Sequence, residues 1–212
     1  MKETSPQFHL LLCAISGAYS LIKDLPEHRI PNEKCDLLLR SYNFLCHAAI
    51  EEYLEKFSSY LLSSSISEAK NGLITDPLVS ACFFYKVSLS EVFQDRHSNP
   101  FLDVAIQKAV SEVSSKHAQA VYENNGIRTK DQDSLFLPVG FRIFDVDRLL
   151  SQALDSFGSD RGKIAHNYRI TTKVPKAGVV NNIRYILIMM QNFDSEVCRL
   201  SGFKYSFCNQ SS

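Results

Sequence analysis

Apolar residues recur at three- and four-residue steps through almost the whole chain, and this one feature restricts the fold more than any other. That spacing places side chains on a single face of an α-helix. Residues 6–23 carry Phe8, Leu11, Leu12, Ile15, Tyr19 and Ile22 in this register, before Pro26 and Pro31 break the chain. Residues 33–63 repeat the pattern from Leu37 to Leu61, with Asn32 as N-cap. "SSSIS" at 63–67 and "NGL" at 71–73 read as a turn or loose connection. A third helix is expected over 76–95, with Asp76 as N-cap and Pro77 in the first turn, where a missing amide costs nothing. A fourth is expected over 101–123.

The stretch "NNGIRTKDQDS" (124–134) reads as a loop, and "LFLPVGF" as a short apolar bridge. A fifth helix is expected from about 145, with Asp145 near its start and Leu149, Leu150, Leu154 and Phe157 on its apolar side. "GSD" at 158–160 is expected to interrupt or bend it. A last helix, 178–200, carries Val179, Ile183, Ile186, Met190, Phe193 and Val197. "RITTKV" (169–174) is the one brief strand signal, and no strand–helix alternation points to a parallel sheet. The expectation is a single all-α domain over 1–212, an irregular or up-and-down bundle of five or six helices with its core at about 5–200 and a tail at 201–212.

Composition narrows the function classes. Lysine plus arginine and aspartate plus glutamate are each 23, so the formal charge is zero. The surface as a whole is therefore not a nucleic-acid magnet, which leaves room for a local basic groove. Cys13, Cys35, Cys46, Cys82, Cys198 and Cys208 include no C-x-x-C pair, so a zinc knuckle or redox pair is not expected. No apolar run is long enough to span a bilayer, and the N-terminal stretch reads as a helix and not a signal peptide. Unpaired cysteines without an export signal suggest a reducing cytoplasm.

The chemistry-bearing stretch is "DRGKIAHNY" (160–168). Arg161 and His166 are five residues apart, about 500° along a helix, so on one helix they point about 140° apart. Two copies meeting at a dimer axis would close a tighter Arg–His site. Such a pair suits attack on an RNA phosphodiester. Histidine takes and gives protons near neutral pH. Arginine offers a permanent planar charge to a five-coordinate phosphorus. The spacing alone is weak, since a chance match is expected in a chain of this length and Arg40 to His47 is a second one. His47 reads as a buried or half-buried helix histidine. Of the paired glutamates that follow, Glu52 reads as solvated, and Glu51 stays open between a solvated face and an inward partner for an arginine. Lys163, Arg169, Lys173 and Lys176 form either a basic rim or a solvated loop, and Arg128 and Lys130 join them only if their loop folds that way.

"RGKIAHNY" after an amphipathic helix resembles the signature of the HEPN superfamily, an arginine followed after four to six residues by a histidine, often ending "iAH". "CHAAIEEYLEKF" (46–57) and "NNGIRTKDQDSLFLPVGF" (124–141) are similar to the RiboL-PSP-HEPN-like branch. The resemblance spans about 35–195. It implies a HEPN-like bundle acting as a metal-independent endoribonuclease without a cofactor, with Arg161 and His166 catalytic and Lys163, Asn167 and Arg169 at the RNA. It implies a homodimer, a toxin or phage-defence setting, and an antitoxin or sensor protein as partner. In one HEPN toxin group the partner attaches AMP to the tyrosine of a His-x-Tyr ending, and Tyr168 fits that spacing as a regulatory modification site. One position departs: Gly162 stands where the family commonly has Asn, Asp or His. That departure keeps a second reading in play, a non-catalytic module that binds a partner protein or nucleotide.

Overall fold

The computed structural model describes residues 4–71, 73–87, 102–166 and 174–201, with backbone alone for 102–106 and 162–166. Among them are eight helices and no strand. The all-α expectation holds, with more and differently bounded helices than the periodicity suggested.

Helix α1 (Pro6–Tyr19) starts at Ser5, whose hydroxyl accepts the amide of Phe8. Helix α2 (Glu33–Lys70) starts at the expected cap, Asn32, which accepts the amide of Cys35 at 2.9 Å. It does not stop at the serine run. Leu61, Leu62, Ser65 and Ala69 are buried there, and Ser63 turns its hydroxyl back onto the Tyr60 carbonyl at 3.0 Å. Burial of one face outweighs the serines' preference for turns, so α2 reaches 38 residues, about 57 Å.

Helix α3 (Asp76–Phe84) is capped by Thr75, one residue before the expected Asp76, and ends far earlier than expected. Lys86 takes a left-handed conformation (φ 52°). The amides of Lys86 and Val87 then close onto the carbonyls of Phe83 and Cys82. These two bonds are a Schellman stop, here made without glycine. The rest of the expected third helix, from 88, lies outside the described residues. Helix α4 (Leu102–Glu123) follows.

The stretch read as a loop contains helix α5 (Thr129–Phe136). Its polar residues are caps rather than loop markers. Asp131 accepts the Arg128 amide at 3.0 Å, and Asp155 accepts both the amide and the hydroxyl of Thr129 at 2.9 and 3.1 Å. Its apolar end, Leu135 and Phe136, is fully buried. The expected fifth helix is two, α6 (Ile143–Val146) and α7 (Arg148–His166). Asp147, not Asp145, caps α7, accepting the Leu150 amide at 2.9 Å. Helix α7 runs straight through Gly158. A Cβ there would lie 3.1 Å from both Ile127 and Arg128, so this glycine lets the strand of chain before α5 approach α7 closely. Helix α8 (Lys176–Leu200) begins two residues before the expected start.

Phe57, Phe136 and Phe193 bring α2, α5 and α8 together, with ring centroids 5.5–6.1 Å apart. Helix α1 lies antiparallel to α2, with Phe8 on Tyr53 and Tyr19 on Tyr42. The N-terminus is pinned by Asp194, fully buried on α8. It accepts from the Ser5 amide (2.6 Å), the Ser5 hydroxyl (2.5 Å) and the Tyr53 hydroxyl (2.9 Å). Cys46 and Cys198 are buried, and no described cysteine is in a disulfide; Cys208 lies outside the described residues.

Replacing Asp194 by alanine strands three buried donors, so Asp194→Ala is expected to cost about 3 kcal/mol in urea denaturation. His117 on α4 is buried between Ser58 (3.4 Å) and Tyr85 (3.1 Å). Burial pushes it down to about 4 from its ordinary value. Below about pH 6.5 the unfolded chain takes a proton that the folded chain refuses until about pH 4, so stability falls across that window, by up to about 3 kcal/mol. Denaturation curves from pH 7 to 4 should be visibly flatter for His117→Gln than for the wild type.

Candidate functional site

Two packing contacts set where the Arg–His stretch lies. His47 of α2 packs on Phe157 of α7, with ring centroids 5.9 Å apart. Ten residues further along α2, Phe57 meets Phe136 of α5. One turn back on α5, Gln132 exchanges hydrogen bonds with Ser151, which precedes Phe157 on α7. Helices α2 and α7 therefore run antiparallel, and the last turns of α7 head toward the first turns of α2.

Arg161 is exposed on α7, one turn after Phe157. The helical backbone continues through Gly162, Lys163 and Ile164 to His166, its last residue. Arg161 and His166 thus keep the helical offset of about 140°, and one copy of α7 does not present them as a stacked pair. Asn167, Tyr168, Arg169 and Lys173 lie outside the described residues.

Lys176 is a correction to the basic rim. It is buried, 2% exposed, donating to the carbonyls of Lys23 (2.9 Å) and Leu25 (3.3 Å), paired with Glu27 at 2.9 Å and placed 5.2 Å from the centre of the Tyr19 ring. It joins the start of α8 to the chain after α1, and its charge serves the fold. Arg128 does reach α7: its side chain lies beside Gly158 and 3.6 Å from Asp155. Lys130 is exposed, 3.8 Å from Asp131.

The first half of α2 buries charge on the strip that faces this end of the bundle. Asp36 and Arg40 pair at 2.9 Å, and both are buried. His47, buried as expected, lies 3.5 Å from Glu51, so Glu51 is partly buried and partners a histidine rather than an arginine; Glu52 is solvated and pairs with Lys56. Sequence reading passed over Asp36. The available signal was its i, i+4 spacing to Arg40, eleven residues ahead of His47 on the same strip.

Sequence reading also missed a cleft of about 600 Å³ on the outward side of α7. Thr129, Arg142, Phe144, Gln152, Asp155 and Asp160 are among the residues that line it. Arg142 is clamped by Asp133 through two bonds of 3.1 Å. The amide and hydroxyl of Thr129, with Arg128 nearby, hold the Asp155 carboxyl below the usual range, as an anion. Among the described residues no cluster of three or more His, Cys, Asp or Glu could hold a metal ion, and no helix is long and apolar enough to cross a membrane.

The family model described as RiboL-PSP-HEPN matches residues 15–199. No curated protein matches, and no solved structure does.

A buried ion pair loses most when one member is removed. Arg40→Ala alone is expected to cost about 3 kcal/mol in chemical denaturation. The double variant Asp36→Ala/Arg40→Ala should cost clearly less than the sum of the two single changes, a double-mutant cycle that isolates the pair.

Proposed function

Because this chain belongs to the RiboL-PSP-HEPN family, we propose that it is an endoribonuclease that needs no metal, with Arg161 and His166 as its catalytic pair. The observation that carries the reading is the unbroken α7, which delivers both residues of the family's motif on one helix end, with Arg161 exposed to solvent. In the proposed reaction a ribose 2′-oxygen bonds to the adjacent phosphorus as an imidazole takes its proton. The P–O5′ bond breaks, and the departing oxygen takes a proton in turn. The products are a 2′,3′-cyclic phosphate and a 5′-hydroxyl. Arg161 carries the extra negative charge of the five-coordinate phosphorus, a charge-matching role that grows in the transition state.

The 140° offset gives the dimer its reason. One helix end separates its own arginine and histidine, so two chains meeting at this end would supply each phosphate with both groups. RNA would enter as a single strand or loop, the form in which its backbone and bases are accessible. Lys163, Asn167 and Arg169 stand next to the pair in sequence and are proposed to contact the RNA. The setting proposed is a toxin or phage-defence effector restrained by an antitoxin or sensor protein, with Tyr168 as the residue such a partner would modify.

Gly162 supports a second reading. Where the family commonly carries a polar side chain after the arginine, this chain has none, as suits a module that binds a partner protein or nucleotide without cutting.

Cleavage of total and transfer RNA in EDTA, with end-group analysis, separates the two. Wild type should leave 2′,3′-cyclic phosphate ends. His166→Ala should lose about 10²–10⁴ in rate and Arg161→Ala about 10²–10³, each with an unchanged melting temperature. A folded wild type that cuts none of a broad RNA panel selects the binding module.

A further inference from the structure

The cleft along α7 lies on the histidine side of that helix. His166 follows Ser159 by seven residues and Asp155 by eleven, so the helical register sets it within about 20° of each, on one strip about 40° wide. Ser159, at the near edge of the cleft, is about 10 Å from His166 along the helix axis. A strand whose phosphate sits at His166 and which continues back along this strip enters the cleft within a few nucleotides.

What lines the cleft is the wrong chemistry for a phosphate and the right chemistry for a base. Its one lining cation is already matched and its carboxylates are in excess: Arg142 is bound by Asp133, Asp155 is bound by Thr129 with Arg128 alongside, and Asp160 adds a second carboxylate to the lining. A polyphosphate would need surplus cations there. The cleft offers instead the half-buried ring of Phe144, with the guanidinium carbons of Arg142 and Arg148 at 5.6 and 5.2 Å from the ring centre. Gln152 is exposed in the lining, and its amide supplies a donor and an acceptor side by side. A guanidinium seated over an aromatic ring offers its own outer face for a base to stack on, and an amide reads a base edge. The volume, about 600 Å³, falls within the range of small-molecule sites.

We propose that this cleft is a nucleobase subsite for the RNA strand whose phosphate is cut at Arg161 and His166. Phe144 backs the guanidinium groups of Arg142 and Arg148, on which the base stacks, and Gln152 reads its edge. The proposal rests on the ribonuclease reading and extends it to the origin of sequence preference, which the Arg–His pair cannot supply because it touches only phosphate.

The test separates binding from cutting. Full-length His166→Ala chain is titrated against a labelled single-stranded oligoribonucleotide of mixed sequence, by fluorescence anisotropy at several salt concentrations. Phe144→Leu and Gln152→Ala are then added to that background. Cleavage sites of the corresponding active chains are mapped by sequencing 5′-hydroxyl ends. Gln152 is exposed, so its variant keeps the fold even if Phe144→Leu lowers the melting temperature.

The expected result is a loss of affinity of about tenfold or more for Phe144→Leu, as for other stacked bases. The salt slope should not change, because no phosphate contact is removed. Gln152→Ala should flatten the base preference at one position near the cut. If both variants bind, cut and choose sites as the wild type does, the subsite is overturned and the ribonuclease reading stands. A shallower salt slope with preference intact also overturns it, since the cleft then tracks phosphate. If RNA is bound but never cut, and Phe144→Leu weakens that binding, the subsite stands and the catalytic reading falls. A wild type that neither binds nor cuts RNA overturns both.

Discussion

The antiparallel seating of α7 on α2 is the constraint from which the candidate site follows. It is held by Phe157 on His47 at one level. At another level it is held by the phenylalanine contact of α2 with α5, together with the Gln132–Ser151 hydrogen bonds that tie α5 to α7. These contacts are apolar or fully hydrogen-bonded and lie in the middle of the bundle, where water does not compete. They hold the axis of α7 while its last turns extend past the aromatic core. A helix end projected in this way can carry an exposed arginine without breaking the packing that positions it.

Helix α2 changes character along its length, and the change tracks this arrangement. From Ile50 onward its inner residues are mostly apolar and fill the core with Leu54, Phe57 and Leu61. Before that it buries Asp36, Arg40 and His47. Burying paired charge seldom adds stability compared with a well-packed apolar side chain, so in this half the packing rests on Leu39, Tyr42 and Cys46 beside the pair. Lys176 shows the contrasting case. Its ammonium is saturated by two carbonyls, a carboxylate and an aromatic face, and it fastens the start of α8 to the chain after α1.

Much of the fold was readable because helices announce themselves by period. The apolar faces of α1, α2, α7 and α8 are mostly buried where the spacing placed them, although Leu12, Leu37 and Leu149 at their margins face solvent, and Asn32 caps α2 as read. The misreadings share a cause. Serines at 63–67, the charges at 128–133 and Gly158 carry local preferences for turns, and each was overridden by a partner distant in sequence. Buried leucines outweighed the serines. Asp155, across on α7, turned the charged loop into a capped helix, and close approach of Ile127 and Arg128 gave Gly158 its place inside a helix. The early end of α3 had no such signal, since Lys86 adopts a conformation usually left to glycine.

The motif, the family and the all-helical class were determined by the sequence, because each depends on residue type and spacing along one chain. The sequence also determined that Arg161 and His166 diverge on their helix, since helical pitch is a local property. Tertiary structure decided the rest. It removed Lys176 from the basic rim by burying it, and it paired Glu51 with His47. It also built a cleft from three helices whose residues, Thr129, Phe144 and Gln152, have no mutual spacing to detect. Charge and aromatic residues acquire a role only when neighbours decide whether they face water, a partner or a groove, and those neighbours are set by packing.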